Sequence, residues 1–421
     1  MAVKKHLIIG TGSAALSALE EIRRINSQDE VKLITMDAHL PHSPASLPYL
    51  LSGRITEAEM WRKDENYFKT LRGTLVRGKQ ITQVIPEKKK VIYHDRSSEN
   101  YDTLLIASGS EPAKPTIKGL EETGIQNFGN LADCHRLLQE LEYKKNIAVL
   151  GAGMVGMKIA TALLEKGCQV SVIEKEPNIL PLYFNEEAET YIKDIFIDRQ
   201  ARFLTGKAVS AVKREGGKIT IVLSDGTSLG VDILINASGV KSRVSFLEGT
   251  EVKISDGVLV DRQMRTSVDD IYAAGDVAEA HDFFTGKPKI NATIPSAVAQ
   301  GRIAGANMIG ENAEYEGSIP MTAFNFLGNQ AFSIGLTVPQ DNAEQVWKQK
   351  DDGKKRFKKL LFNGSRLMGG MFLNEKIDPG IVFYLIKTQV DMAAHNEALF
   401  ERTKPLSDPW LNSLKFPQAN G

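Results

Sequence analysis

One pattern occurs twice in this chain and limits its fold more than any other feature. An apolar stretch from His6 to Ile9 runs into Gly10-Thr11-Gly12-Ser13-Ala14-Ala15; Leu16 to Arg24 then has helical spacing, and Val31 to Met36 is again strand-like. The second copy reads Ile147 to Leu150, then Gly151-Ala152-Gly153-Met154-Val155-Gly156, a helix to about Lys166, and a strand from Val170 to Ile173. Each copy closes its second strand on an acid, Asp37 in the first and Glu174 in the second. The copies lie about 140 residues apart, which suits two separate α/β domains and not a short solenoid repeat.

The residue types at these turns have a chemical reason. Gly10 permits the tight turn after the strand, Gly12 removes a Cβ from the path of a pyrophosphate, and Ala15 lets the helix settle close to the sheet. The helix start then offers unpaired N–H groups and the positive end of its dipole to phosphates. Asp37 stands where an acid meets a ribose hydroxyl. One such motif also fits a tight βα turn with no ligand; two copies, each with its acid, favour dinucleotide binding. In the second copy a carboxylate at Glu174 accepts hydrogen bonds from a ribose 2′-hydroxyl and repels a 2′-phosphate. NAD is therefore expected over NADP, with the neighbouring Lys175 moderating the preference.

Three further segments share an apolar strand ending in a small-residue turn: Tyr101 to Gly109, Val231 to Gly239, and Asp270 to Asp276. From about Ser318 the grammar changes. Arg356 to Phe372 alternates around Asn363-Gly364, a hairpin signal, and Ile381 to Met392 reads as a helix. A separate C-terminal α+β domain is expected there, with a Pro-rich, loosely held tail after Thr403.

Composition narrows the functional classes. With 421 residues the chain is too long for one ordinary domain. Lys+Arg and Asp+Glu both total 52, so no overall basic field attracts nucleic acid. Two cysteines, Cys134 and Cys168, exclude a disulfide framework and any four-thiolate cluster, and point to a reducing, cytoplasmic setting. No His, Cys, Asp and Glu cluster has metal spacing. The opening MAVKKHLIIG mimics a signal peptide, but it runs at once into GTGSAA, so a buried first strand is expected. The longest apolar stretch, Asn146 to Leu164, holds three glycines and Lys158, and a membrane span needs roughly 20 uninterrupted apolar residues.

Taken together, from Val3 to Asn307, these motifs resemble the pyridine nucleotide-disulfide oxidoreductase superfamily in their kind and order. The resemblance implies an α/β fold: two Rossmann-like FAD/NAD(P)-binding domains, each three-layered around a parallel sheet, plus a small C-terminal α+β domain. The FAD domain would be discontinuous, over 1–116 and 245–320, with an NAD domain over 117–244 inserted and an interface domain with its tail over 321–421. Gly10, Gly12, Ala15 and Asp37 match the family's FAD pyrophosphate and ribose positions, and Ile81 the place where backbone meets adenine. Ser43, Pro44, Ala107, Ser108, Gly109 and Gly239 are further candidates for cofactor contact. Gly275 and Asp276 match a second FAD fingerprint, in which the Asp bonds the ribityl chain. Pro295 and Ser296 open a helix whose N-terminus would point at the flavin, although proline at a helix start needs no flavin to explain it. Gly151, Gly153, Met154, Val155, Gly156 and Glu174 would hold NAD(H).

The departures are as informative as the match. Many members carry a Cys-x4-Cys pair beside the flavin, and related oxidases, peroxidases and coenzyme A-disulfide reductases a single cysteine before a Leu-Pro-Tyr-like stretch. Here the region reads His42-Ser43-Pro44-Ala45-Ser46-Leu47-Pro48-Tyr49, with Ala45 at the thiol position. Neither disulfide exchange nor a sulfenic-acid cycle can run there. Lys158 stands where members often place a glutamate; it reads either as a surface lysine or as a catalytic cation favouring anionic reduced flavin. His42 is a further candidate for the flavin neighbourhood but reads first as a structural or solvent-facing imidazole, and the run Lys354-Lys355-Arg356-Phe357-Lys358-Lys359 as a solvated strand edge or, less simply, a docking patch for an acidic redox partner.

With no internal electron acceptor, function is expected to lie partly in another chain. Arg356 to Gly370 resembles the final domain of rubredoxin- and nitrite-reductase-type NADH flavoproteins. The Ser43 to Arg54 segment and Gly156-Met157-Lys158 resemble FAD subunits of multi-subunit bacterial oxidoreductases, such as phenylglyoxylate dehydrogenase and tungsten aldehyde oxidoreductases. The expectation is an NAD(H):acceptor oxidoreductase subunit working with an iron–sulfur partner, as a hetero-oligomer or homodimer. A stand-alone NADH oxidase or rubredoxin-type reductase, and a nucleotide-sensing flavoprotein like apoptosis-inducing factor, are the alternatives.

Overall fold

The computed structural model describes residues 3–61, 63–338 and 344–393; the tail expected after Thr403 lies outside them. In chain order the strands of two parallel sheets are β1 (Lys5–Ile9), β2 (Glu30–Ile34), β3 (Gly73–Val76), β4 (Thr103–Ile106), β5 (Asn146–Leu150), β6 (Gln169–Glu174), β7 (Arg202–Thr205), β8 (Ile233–Asn236) and β9 (Ile271–Ala273). The chain divides into two compact units. One comprises residues 1–115, 127–140 and 239–318; the other comprises 116–126, 141–238 and 319–421.

The first unit is built on the sheet β9-β4-β1-β2-β3. Its central strands are apolar without interruption because both faces are covered. Ile8, Leu33 and Leu105 face α1 (Ser13–Ile25) and its Ala15, Leu19 and Ile22. Leu7, Ile9, Leu104 and Ile106 face a second cluster with Val84, Val91 and Tyr93. Helix α1 begins at Ser13, earlier than the periodicity of Leu16 to Arg24 suggests, because Gly12 in extended conformation is its N-cap.

In the second unit the parallel strands run β7-β6-β5-β8, with α2 (Met154–Glu165) following β5 and α3 (Glu186–Asp198) preceding β7. The C-terminal stretch forms an antiparallel sheet of β10 (Met321–Phe326), β11 (Asn329–Gly335), β12 (Glu344–Asp351), β13 (Arg356–Asn363) and β14 (Arg366–Leu373), in the order β10-β11-β14-β13-β12. Phe196 of α3 stacks on Phe326 at 5.5 Å, and Phe326 on Phe324 at 4.5 Å. Glu187 and Asp198 of α3 pair with Lys348 of β12 and with Lys355 in the turn before β13. The hairpin read at Asn363-Gly364 is present, with Gly364 at φ 58°. The helix read over Ile381 to Met392 is Pro379–Thr388, ended by Gln389 in the left-handed region at φ 51°.

The basic run departs from its reading as a solvated edge. Strand β13 lies inside the sheet between β12 and β14, so Lys358 and Lys359 are only 3% and 8% exposed. Their stems fill the packed layer, Lys359 Nζ donates to the Thr337 carbonyl at 3.4 Å, and burial pushes both ammonium groups below the usual lysine range.

Helix α4 (Ile294–Met308) crosses α1 in the first unit at backbone contact distance. A Cβ on Gly301 would stand 2.2 Å from the Ala14 carbonyl oxygen, and one on Gly305 2.6 Å from that of Ala18. The substitution Gly301→Ala should therefore destabilise the protein by about 1–3 kcal/mol, outweighing the ~1 kcal/mol that alanine gains over glycine in a helix. Chemical denaturation checks this; an unshifted midpoint would show that the two helices part without cost.

Candidate cofactor sites

In the first unit the chain turns out of β1 at Gly10, whose φ of +116° is in the region that favours glycine. A Cβ there would lie 2.2 Å from the Ala107 carbonyl oxygen, so the turn between β1 and α1 is pressed directly against the end of β4. Gly10 N–H donates to Ile34 O at 2.8 Å. No side chain caps α1, and the space around Gly12 is open, so the first turn of the helix presents its N–H groups outward.

Around this helix start the structure gathers much of what the sequence singled out. Gly275, at φ +84°, sits between the two helices: a Cβ on it would meet Ala14 Cβ at 3.2 Å and Ala297 Cβ at 3.8 Å. Asp276 follows it, half-buried, and its carboxylate has no hydrogen-bond partner among the described residues. Burial alone pushes that carboxyl above the usual range. Asp37 accepts from His39 N–H at 2.9 Å through Oδ1, while Oδ2 stands 3.9 Å from His42 Nδ1. His42 packs edge-on against Trp61, with ring centroids 6.0 Å apart, in accord with a structural imidazole. Ser43 is buried, and Pro44 opens the short turn Pro44–Ser46, in which Ala45 is exposed.

The remaining candidates in this unit are placed by backbone roles. Ile81 is buried in the strand Ile81–Ile85. Ser108 Oγ donates to Arg243 O at 2.8 Å, and Arg243 N–H donates back to Gly109 O at 3.0 Å. Gly239, at φ +137°, accepts from Ala113 N–H at 3.0 Å. Pro295 and Ser296 lie in the first turn of α4, capped by Thr293 Oγ1, which accepts from Ser296 N–H at 3.4 Å. The Ser296 amide is thus occupied, and α4 contributes at its start chiefly through its dipole.

The second unit repeats the construction. Gly151, at φ +109°, would put a Cβ 2.2 Å from Ala237 O, and Gly156 would put one 2.0 Å from Gly151 O. Gly153 is the N-cap of α2 with no side-chain cap, followed by half-buried Met154 and exposed Val155. Here the acid is already engaged. Glu174 Oε2 accepts from Ala152 N–H at 2.7 Å and Oε1 from Glu176 N–H at 3.0 Å. Lys158 lies half-buried on α2 with no acidic partner among the described residues, and burial pushes its ammonium below the usual range. Cys134 and Cys168 are both buried; Cys134 Sγ donates to the Leu47 carbonyl at 3.9 Å, and burial raises the Cys168 thiol. No helix among the described residues is long and apolar enough to cross a membrane.

Sequence reasoning passed over Gln300. Its Oε1 accepts from Gly275 N–H at 2.8 Å, and the side chain is 1% exposed. A single glutamine in a helix carries no periodic signal; only its place one turn after Ala297 could have drawn notice.

The family model for pyridine nucleotide-disulphide oxidoreductases matches residues 4–301. The chain is 32% identical over 391 residues to the epsilon subunit of an NADH-dependent phenylglyoxylate dehydrogenase from Aromatoleum evansii, covering 92% of each chain. It is 26% identical over 419 residues to an NADH oxidase from Methanocaldococcus jannaschii, covering 93% of each. Among solved structures it resembles an NAD-dependent persulfide reductase from A. fulgidus at 25% identity and a TM-score of 0.82, over 91% of this chain and 77% of that one.

FAD and NAD(H) are the cofactors of this family, and the residues present fit them. The Gly10 cradle, the uncapped start of α1 and the partnerless Asp276 carboxylate suit a diphosphate and a ribityl chain. Gly151, Gly153, Gly156 and Glu174 suit NAD(H). Asp276 gives a prediction with a definite sign. Its folded-state value is raised, so the protonated side chain is favoured in the FAD-free protein, and that contribution is lost as pH rises through the raised value. Asp276→Asn should leave the FAD-free protein as stable as the parent at neutral pH or more so, with a flatter dependence on pH. FAD affinity should fall about tenfold or more, since a hydrogen bond to a charged group is worth roughly 1.5–3 kcal/mol. Thermal melts across pH and a flavin fluorescence titration measure the two effects separately.

Proposed function

Because the chain belongs to the pyridine nucleotide-disulphide oxidoreductase family, we propose that it is the FAD-carrying, NAD(H)-linked subunit of a larger redox complex whose other electron carrier is an iron–sulfur protein. The coarser part of this reading is firm: the chain is an NAD(H)-dependent flavoprotein oxidoreductase. Ala45 carries the finer part. With no thiol at that position, and with Cys134 and Cys168 buried, no cysteine beside the flavin can take up the electrons. Bound FAD supplies the conversion between a two-electron exchange with NAD(H) and single-electron exchange with the partner. The similarity to the epsilon subunit of an NADH-dependent phenylglyoxylate dehydrogenase, across 92% of both chains, supports a role as one subunit of a larger enzyme.

The chain's own residues do the positioning. Asp37 and the start of α1 anchor one dinucleotide, and Glu174 with the Gly151–Gly156 turn selects NAD(H) over its 2′-phosphorylated form. Placement is the main contribution, since transfer between two held rings needs no protein acid. Lys158 adds a positive charge that favours the anionic reduced flavin; its support is a half-buried amine on α2 with no acidic partner among the described residues, whose burial disfavours the charge until an anion stands beside it.

A stand-alone NADH oxidase is the second reading, favoured by the similarity to the Methanocaldococcus enzyme. The two separate in one experiment on the purified holoprotein. Under nitrogen, NADH should bleach the flavin; a flavin that stays oxidised would sink both readings. In air, the subunit reading expects slow oxygen uptake, and fast re-oxidation when the iron–sulfur proteins that co-purify with the chain are added. Rapid oxygen consumption by the chain alone would select the oxidase. Lys158→Gln should lower the flavin midpoint potential by about 30 mV, which is roughly 1.4 kcal/mol for a two-electron couple, without changing FAD content. Redox titration against dyes reads this, and an unmoved potential would remove Lys158 from the mechanism.

A further inference from the structure

We propose that Gln300 is an FAD-binding residue, with its side-chain amide donating to the diphosphate–ribityl part of the cofactor. Gln300 is 1% exposed, and its Nε2 has no hydrogen-bond partner among the described residues. Buried donors are almost always paired, because leaving one unpaired forfeits its hydration with nothing in return. The orientation of the amide is not free to reverse: Oε1 accepts from the Gly275 N–H at 2.8 Å, and a flipped side chain would set two donors against each other. The NH2 group is therefore held as a donor facing away from Gly275 N–H.

Its surroundings identify the missing acceptor. Gly275 lies against Ala14 and Ala297, the first turns of α1 and α4, and Gly301, the residue after Gln300, is pressed on the Ala14 carbonyl. The glutamine thus sits behind the junction of the two elements that bind FAD, the uncapped start of α1 and the Gly275-Asp276 turn. The same turn carries the second group without a partner, the Asp276 carboxylate. A donor and an acceptor, both without a partner among the described residues and both adjoining Gly275, match a ligand segment that has phosphate oxygens beside hydroxyl groups. Gln300 then has two tasks: through Oε1 it fixes the Gly275 amide, and through Nε2 it reaches the cofactor, directly or across one ordered water.

Gln300→Glu tests this because it keeps the acceptor for Gly275 N–H and changes only the other arm. Protonated, the new carboxyl still donates; ionised, it loses the donor and repels the phosphates. Asp276 beside Gly275 titrates in both proteins, so the ratio of the two FAD dissociation constants is the readout: variant over parent, it should climb with pH between about 6 and 9 to roughly tenfold or more. A ratio that does not change with pH would overturn the proposal. The parent protein supplies an independent reading, in which side chains are labelled with 15N-glutamine and the Gln300 amide pair is assigned from its absence in Gln300→Asn. On adding FAD to the FAD-free protein, that pair should shift and exchange more slowly with solvent. An unmoved pair also overturns the proposal, and this arm remains decisive if the glutamate variant does not fold.

Discussion

Backbone pressed against backbone is the constraint on which the rest of the first unit depends. The turn after β1 meets the Ala107 carbonyl, and α4 meets the carbonyls of Ala14 and Ala18, each at a distance where a Cβ cannot stand. Such contacts are possible only at glycine, and they do more than tighten packing. They bring the start of α1, the end of β4 and the Gly275-Asp276 turn into one small volume, although these lie far apart in sequence. A face suited to an anion follows from that convergence, since no side chain caps the N–H groups at the start of α1. The second unit reaches the same end by the same means at Gly151 and Gly156.

This explains why so much of the fold was legible. Glycines at a required positive φ, apolar strands covered on both faces, and acids at strand ends are local signals that survive without knowledge of tertiary contacts. Gly10, Gly151, Gly275 and the hairpin at Gly364 all carry them. What was misread depended on contacts the sequence does not display. Ser13 to Ala15 read as turn because small residues carry no helical periodicity, yet they are the first turn of α1. Lys358 and Lys359 read as solvated because charge is taken as a mark of exposure. Their burial follows from β12, which takes the sheet edge and leaves β13 inside. Gln300 was invisible for a related reason: its meaning lies in a hydrogen bond to a residue in another segment.

The two acids that looked equivalent in sequence are not equivalent in space. Glu174 is held by two backbone amides of its own unit, one of them the Ala152 amide inside the glycine turn. Asp37 accepts from one loop amide through Oδ1 and leaves Oδ2 at 3.9 Å from an imidazole. In the second unit the acid stabilises the turn itself; in the first, the carboxylate keeps more capacity for a ligand.

That contrast bears on how the two cofactors are held. In the first unit, polar groups of Asp276 and Gln300 are buried or half-buried without partners among the described residues, so the FAD-free protein carries a cost that FAD held as proposed would remove. Part of the FAD binding energy would then be the relief of that cost, which favours a cofactor that stays. In the second unit Glu174 already accepts from two backbone amides, so a ribose hydroxyl would add to bonds already made and would not rescue an unpaired group, and the net gain is smaller. A nucleotide bound there is the more readily exchanged. The distribution of unpaired groups therefore matches the division of labour in a flavoprotein oxidoreductase, one dinucleotide resident and the other passing through.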